Sequence, residues 1–263
     1  METRGLLVGQ RSENVFFDID ERSVYVDKLK VPDKRAIINK DTGQVIGIVG
    51  KNYIPVSNKH LLNHFRSIAD QSKIKFQILN THLIRSGSKT IIEILFPFLQ
   101  FEVQVGDKLQ LKGFLINSFD GYSSAILEFG FFRLVCENGM VVGKKEMVIS
   151  ARHVGRVDEK LVEGFKLYIE EKEKEVKAFA QKLIDLKFEK KRGFEIIEKS
   201  RWISKKYHRD LVEQYEKELA DAESLDAWNL YNVFTYVITN KMQVNLETRM
   251  ALYKKLNREI QNW

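Results

Sequence analysis

A histidine can turn a cysteine into a nucleophile, and this chain has one cysteine, Cys136, followed by His153. The imidazole would take the thiol proton, and Asp120 or Asn138 would orient the ring. The placement argues against that chemistry, because Cys136 ends the apolar run Phe131 to Cys136, and a thiol in a buried strand is ordinary core. Asp107, Asp120, Glu128 and Glu137 lie near turns and are the residue types of a metal-dependent nuclease, but nothing in their spacing makes them converge. His60 and His64 share one side of a predicted helix, yet Leu61 stands where a zinc-protease motif needs Glu, so both read as surface histidines. Asp18, Asp20 and Glu21 read as a solvated loop between strands rather than a cation site, which needs convergent oxygens. Gly47-Ile48-Val49-Gly50-Lys51 is no phosphate loop, since that motif has four residues between its glycines and Ser or Thr after the lysine. No cofactor, metal or catalytic residue is assigned from these patterns.

The stronger chemical signal is basic. Between Lys187 and Arg209 the chain has nine Lys or Arg against three Glu, and the net charge of the whole is +7. Phe188, Phe194, Trp202 and Tyr207 are interleaved with these cations, a mixture suited to a polyanion whose bases can stack. Lys190, Lys191, Arg192, Arg201, Lys205, Lys206 and Arg209 would hold phosphates, with Trp202 or Tyr207 stacking on bases. Arg133, Arg152 and His153 would form a second contact region. The competing reading makes the aromatics the buried stripe of helices whose solvated face is basic.

With 44% hydrophobic and 30% charged residues, the 263-residue chain has an ordinary globular composition, neither disordered nor fibrous. No apolar run approaches the roughly 20 residues of a membrane helix, and METRGLLVGQ is no secretory leader. One cysteine makes no internal disulfide and excludes a multi-cysteine zinc site, in keeping with a reducing, cytoplasmic setting.

The elements that must position these residues fall into two halves. Phe114 to Gly155 is the focus of the first, with turn signals at Asp120-Gly121 and Glu137-Asn138-Gly139 between apolar runs. Further hairpins are predicted at Asp41-Thr42-Gly43 and Ser86-Gly87-Ser88, Ser57 or Asn58 caps a helix with Leu61, Leu62, Phe65, Ile68 and Ala69 on one face, and Pro97 is expected to break a strand. The fold predicted is α+β. Residues 1–155 form a curved, mostly antiparallel sheet with a crossing helix, and 156–263 form a helical half with one long helix. Within 158–191, Phe165, Ile169, Lys172, Val176, Phe179, Leu183 and Leu186 make a heptad seam. A helix of about 30 residues is roughly 45 Å long. It must pack on other helices, either in this chain or in a second copy, so a homo-oligomer through 158–191 is one expectation.

Five blocks in order resemble a known family. They are Asp41-Thr42-Gly43 with Gly47 to Asn58, Asn117 to Ser124, Arg133-Leu134-Val135-Cys136-Glu137-Asn138, Arg152-His153-Val154-Gly155, and Ala227 to Thr235. Together they are similar to the phage/plasmid-like protein family, a domain of unknown function common on mobile elements, over residues 34–240. Gly139-Met140 stands where that family often has Thr-Leu, and its Trp-His-Gly-rich opening is missing. The resemblance implies a phage or plasmid origin and a cytoplasmic setting, and no reaction. The function expected is therefore non-catalytic binding of single-stranded DNA in mobile-element recombination or replication. An interaction protein for a host factor and an enzyme using Cys136 and His153 are the alternatives.

Overall fold

The structure, a computed structural model, describes residues 13–104, 107–122, 125–133, 138–140, 147–148, 159–220 and 225–263. β1 (Ile19–Val26), β2 (Leu29–Asn39) and β3 (Val45–Gly50) form an antiparallel sheet in chain order. The β2–β3 hairpin closes where expected. Gly43 takes φ +71° there, a conformation that needs no Cβ, and Asn39 Oδ1 accepts from the Asp41 N–H at 2.9 Å.

α1 (Asn58–Gln71) follows, with Ser57 Oγ accepting from the His60 N–H at 3.2 Å as its cap. Leu61, Leu62, Phe65, Ile68 and Ala69 are buried as predicted. His60 is exposed, but the surface reading fails for His64, which is only 4% exposed. It stands three residues after Leu61 and four before Ile68, on the helix's apolar side.

The second sheet has the order β4 (Gln77–Ile84), β5 (Lys89–Gln104), β6 (Asp107–Ser118), β7 (Ile126–Arg133) and β8 (Asn138–Met140), and β9 (Met147–Val148) also pairs with β7. Two expectations are corrected here. β5 continues through Pro97, because proline's φ suits a strand and only one ladder donor is lost. Asn138 and Gly139 are not the centre of a turn but strand residues, paired with Arg133 and Phe132.

The helical part is α2 (Glu159–Asp185), α3 (Lys190–Lys199), α4 (His208–Leu219), α5 (Ala227–Tyr236) and α6 (Leu246–Glu259), with a π turn over Val237–Lys241. β10 (Lys187–Phe188) and β11 (Leu225–Asp226) pair across the sequence between them. Asp226 caps α5 in a reciprocal box with Asn229. The fold is α+β, with antiparallel sheets and helices mostly in the second half. No helix among the described residues is long and apolar enough to cross a membrane.

Two compact units emerge, and neither is one continuous segment: 1–96, 113–128 and 146–166 make the first, and 97–112, 129–145 and 167–263 the second. In the first, Phe17, Ile37, Ile46, Val49 and Phe119 form one cluster, and Phe65 contacts Phe76, Phe96 and Phe165. The second is centred on α5, whose Trp228, Tyr231, Val233 and Phe234 are fully buried. The α2 seam is filled from within the chain. Phe165, Ile169, Lys172, Val176 and Leu183 are buried, and Phe179 meets Tyr231 edge-on at 5.5 Å. Homo-oligomerisation through the 158–191 seam is therefore not supported, because little of that apolar face is left to bury against another helix.

Candidate nucleic-acid interface

The basic segment folds as two packed helices. Gly193, Ile196 and Ile197 of α3 and Leu211, Tyr215 and Leu219 of α4 are buried. Phe194 meets Tyr215 edge-on at 5.0 Å, and the Tyr215 hydroxyl donates to the Lys190 carbonyl at 3.3 Å. Gly193 permits this approach: a Cβ there would lie 2.0 Å from the Tyr215 hydroxyl oxygen. Tyr215 is two turns into α4, so the amino ends of the two helices are about 10 Å apart along the α4 axis.

Both amino ends carry cations. Lys190, Lys191 and Arg192 form the first turn of α3, which contains no acid, and the Glu189 side chain does not cap it. Lys205 and Lys206 lie in the 3-10 turn leading into α4, with Arg209 in its first turn. The helix dipole disfavours positive charge there, so helix stability is not the reason for this placement.

The predicted phosphate ligands divide by partner. Arg192 pairs with Glu195 at 3.3 Å, Lys199 approaches the same carboxylate at 3.8 Å, and Arg209 pairs with Glu213 at 3.1 Å. Lys190 Nζ lies 6.0 Å from the Phe194 ring centre and Lys206 Nζ 4.6 Å from that of Tyr207. Lys191, Arg201 and Lys205 are exposed and have no ion pair among the described residues.

The aromatics behave differently from the expectation. Trp202 is half-buried and stacks on Phe234 at 5.5 Å and 26°, and Phe234 also meets Trp263 at 5.6 Å. One face of the indole thus belongs to the core. Tyr207 is half-buried as well. The segment presents cations to solvent but no freely standing aromatic platform.

Arg133 closes β7, where it pairs with Asn138. Arg152 and His153 lie outside the described residues, as do Cys136 and Glu137. Of the nuclease carboxylates, Asp107 is buried and accepts from Trp228 Nε1 at 2.8 Å, an anchoring role. No group of three His, Cys, Asp or Glu among the described residues is arranged to hold a metal ion.

A polar network in the first unit has no signature in local spacing. Buried Asn58 accepts from Thr90 Oγ1 at 2.9 Å and Asn117 Nδ2 at 2.8 Å, and donates to the Val15 carbonyl at 2.7 Å. The Tyr53 hydroxyl donates to the Ser118 carbonyl at 2.6 Å, and Ser118 Oγ donates to Asp120, which also accepts from the Tyr122 N–H at 3.1 Å. Burial raises the Asp120 pKa, but the hydrogen bonds from Ser118, Tyr122 and Ser88 outweigh it and hold the carboxyl below its ordinary value. Burial, and then the Asp120 charge, pushes the Tyr53 hydroxyl up. The 41–58 and 117–122 blocks thus meet face to face, and Gly47 is where they touch, since a Cβ there would lie 2.1 Å from the Phe119 carbonyl oxygen. In the second unit β8 packs near α5.

Residues 45–261 match the family model described as a domain of unknown function, DUF932. The chain belongs to that family. The match covers most of the sequence and agrees with a domain-of-unknown-function assignment from the five blocks. No curated protein and no solved structure matches the chain.

Proposed function

We propose that this DUF932 chain is a non-catalytic protein that holds single-stranded DNA by its phosphates, acting in the cytoplasm in recombination or replication of a phage or plasmid element. The observation that carries the reading is the set of exposed cations at the amino ends of α3 and α4 and in the turn between them, with Lys191, Arg201 and Lys205 free of acid partners among the described residues. A phosphate beside these ends would interact favourably with both the side chains and the helix dipoles, reversing the unfavourable electrostatics of the unliganded helices. Contacts of this kind are made to the strand's backbone and carry no sequence preference.

Fluorescence anisotropy with single- and double-stranded oligonucleotides across salt, with and without magnesium, tests it. Removing Lys191, Arg201, Lys205 and Lys206 together should weaken single-strand binding and lower the salt slope by about 0.7 for each phosphate no longer neutralised. Unchanged affinity and slope in that variant would rule out the α3–α4 pair as the binding surface. Magnesium-dependent shortening of the oligonucleotide would replace the reading with a nuclease.

A further inference from the structure

The outer part of the β1–β2 hairpin leaves its sheet. Beyond the register shift between Ser23 and Tyr25 it runs on as a two-stranded ribbon, with Tyr25 paired to Lys30 and Val26 to Leu29. Tyr25 is 58% exposed, Val26 63% and Leu29 77%. A ribbon this bare on both faces has no core to hold it. Clamps at its base hold it instead. Lys51 donates from its backbone to the Asp33 carbonyl at 3.0 Å and from its side chain to the Asp33 carboxylate at 2.8 Å. Arg35 bridges Glu21 and the carbonyls of Lys51 and Tyr53, the last at 2.6 Å.

The charges are sorted along the ribbon. At the base, Asp20, Glu21 and Asp33 are neutralised by Arg22, Arg35 and Lys51. Lys28 and Lys30 at the tip, and Lys34 at the base beside Asp33, are exposed and have no ion pair among the described residues, and the tip carries the single acid Asp27. Directly paired strand residues share a face, so the Tyr25 ring and the Lys30 ammonium project from the same side.

We propose that this ribbon is a second contact for single-stranded nucleic acid, with Tyr25 stacking on an unpaired base while Lys28, Lys30 and Lys34 neutralise the flanking phosphates. It rests on the nucleic-acid reading of the preceding section and supplies the free aromatic face that the α3–α4 pair lacks. A stacked base needs a solvent-facing ring beside a cation, and Tyr25 with Lys30 has that form.

The test uses the full chain and a fluorescein-labelled oligothymidylate. Tyr25→Ala should weaken binding roughly tenfold, whereas Tyr25→Phe, which keeps the ring, should bind as the parent does. Lys28→Ala with Lys30→Ala should lower the salt slope by about 1.4. If these variants bind like the parent while loss of Lys191, Arg201, Lys205 and Lys206 weakens binding, the ribbon proposal fails and the α3–α4 reading stands. The opposite result keeps the ribbon and removes the helix pair, and a parent chain that binds no oligonucleotide at low salt removes both. Sedimentation with anionic vesicles that Val26→Ser with Leu29→Ser abolishes, with oligonucleotide binding insensitive to Tyr25→Ala, would overturn the proposal by assigning the tip to a lipid surface. All five ribbon positions are exposed, and unchanged circular dichroism confirms that the variants fold.

Discussion

The α3–α4 pair and the β1–β2 ribbon both mix lysines with aromatics, and they place the two kinds of side chain differently. In the helix pair Phe194 meets Tyr215 and Trp202 stacks on Phe234, so these rings are partly drawn into the core while Lys191, Arg201 and Lys205 are exposed. In the ribbon Tyr25 faces water together with Lys30. The difference lies in what supports each element. Amphipathic helices are held by burying a stripe, which draws their aromatics inward. The ribbon is held at its base by ion pairs and hydrogen bonds, so its outer side chains are not needed for packing. An aromatic beside a lysine therefore marks a stacking surface only where the fold has no core beneath it.

Gly193→Ala should cost about 3 kcal/mol of stability, because its Cβ would lie 2.0 Å from the Tyr215 hydroxyl oxygen and overpack a buried ring, as measured by denaturant unfolding. Trp202→Ala should cost about 2 kcal/mol, below the range for a fully buried ring because Trp202 is half-exposed, while Tyr25→Ala should stay within about 0.5 kcal/mol. Equal losses at Trp202 and Tyr25 would erase the distinction.

The ribbon's polar support predicts an acid sensitivity. Arg35 reaches the Tyr53 carbonyl, Tyr53 reaches Ser118, and Ser118 reaches Asp120. Since the Asp120 pKa is lowered on folding, its carboxylate contributes stability above the ordinary aspartate range, and that contribution is lost as pH falls through the depressed folded value. Asp120→Asn should flatten the acid limb of a stability profile relative to the parent, and should cost about 1 kcal/mol at neutral pH. The smallest effect is expected at Arg209. Its pair with Glu213 is solvent-exposed, so Arg209→Ala should change stability by less than about 0.5 kcal/mol, and any drop in oligonucleotide affinity would then report a direct contact.

Much of the fold is legible in the residues. The Asp41-Thr42-Gly43 reversal, the Ser57 cap and the apolar face of α1 all follow from turn chemistry or helical spacing. The failures are particular. Histidine's polarity suggests an exposed His64, and only the packed side of α1 shows otherwise. Asn138-Gly139 has the composition of a type I′ turn, yet pairing with β7 places both in a strand. The Asn58–Thr90–Asn117 network is invisible in the sequence because its members lie far apart in the chain, although Asn58 and Asn117 each stand in a recognisable block.

For the candidate site, sequence alone determined which residues are cationic and that α2 carries a heptad stripe, while the two helix starts that carry the cations came from the structure. The first two depend on side-chain type and on neighbours within a turn or two. Tertiary structure decided that Trp202 stacks on Phe234, that the α2 seam is filled from within, and that Tyr25 remains in water. Each of those is a question of burial. Burial is set by which distant segments supply an apolar surface, and local spacing carries no information about that.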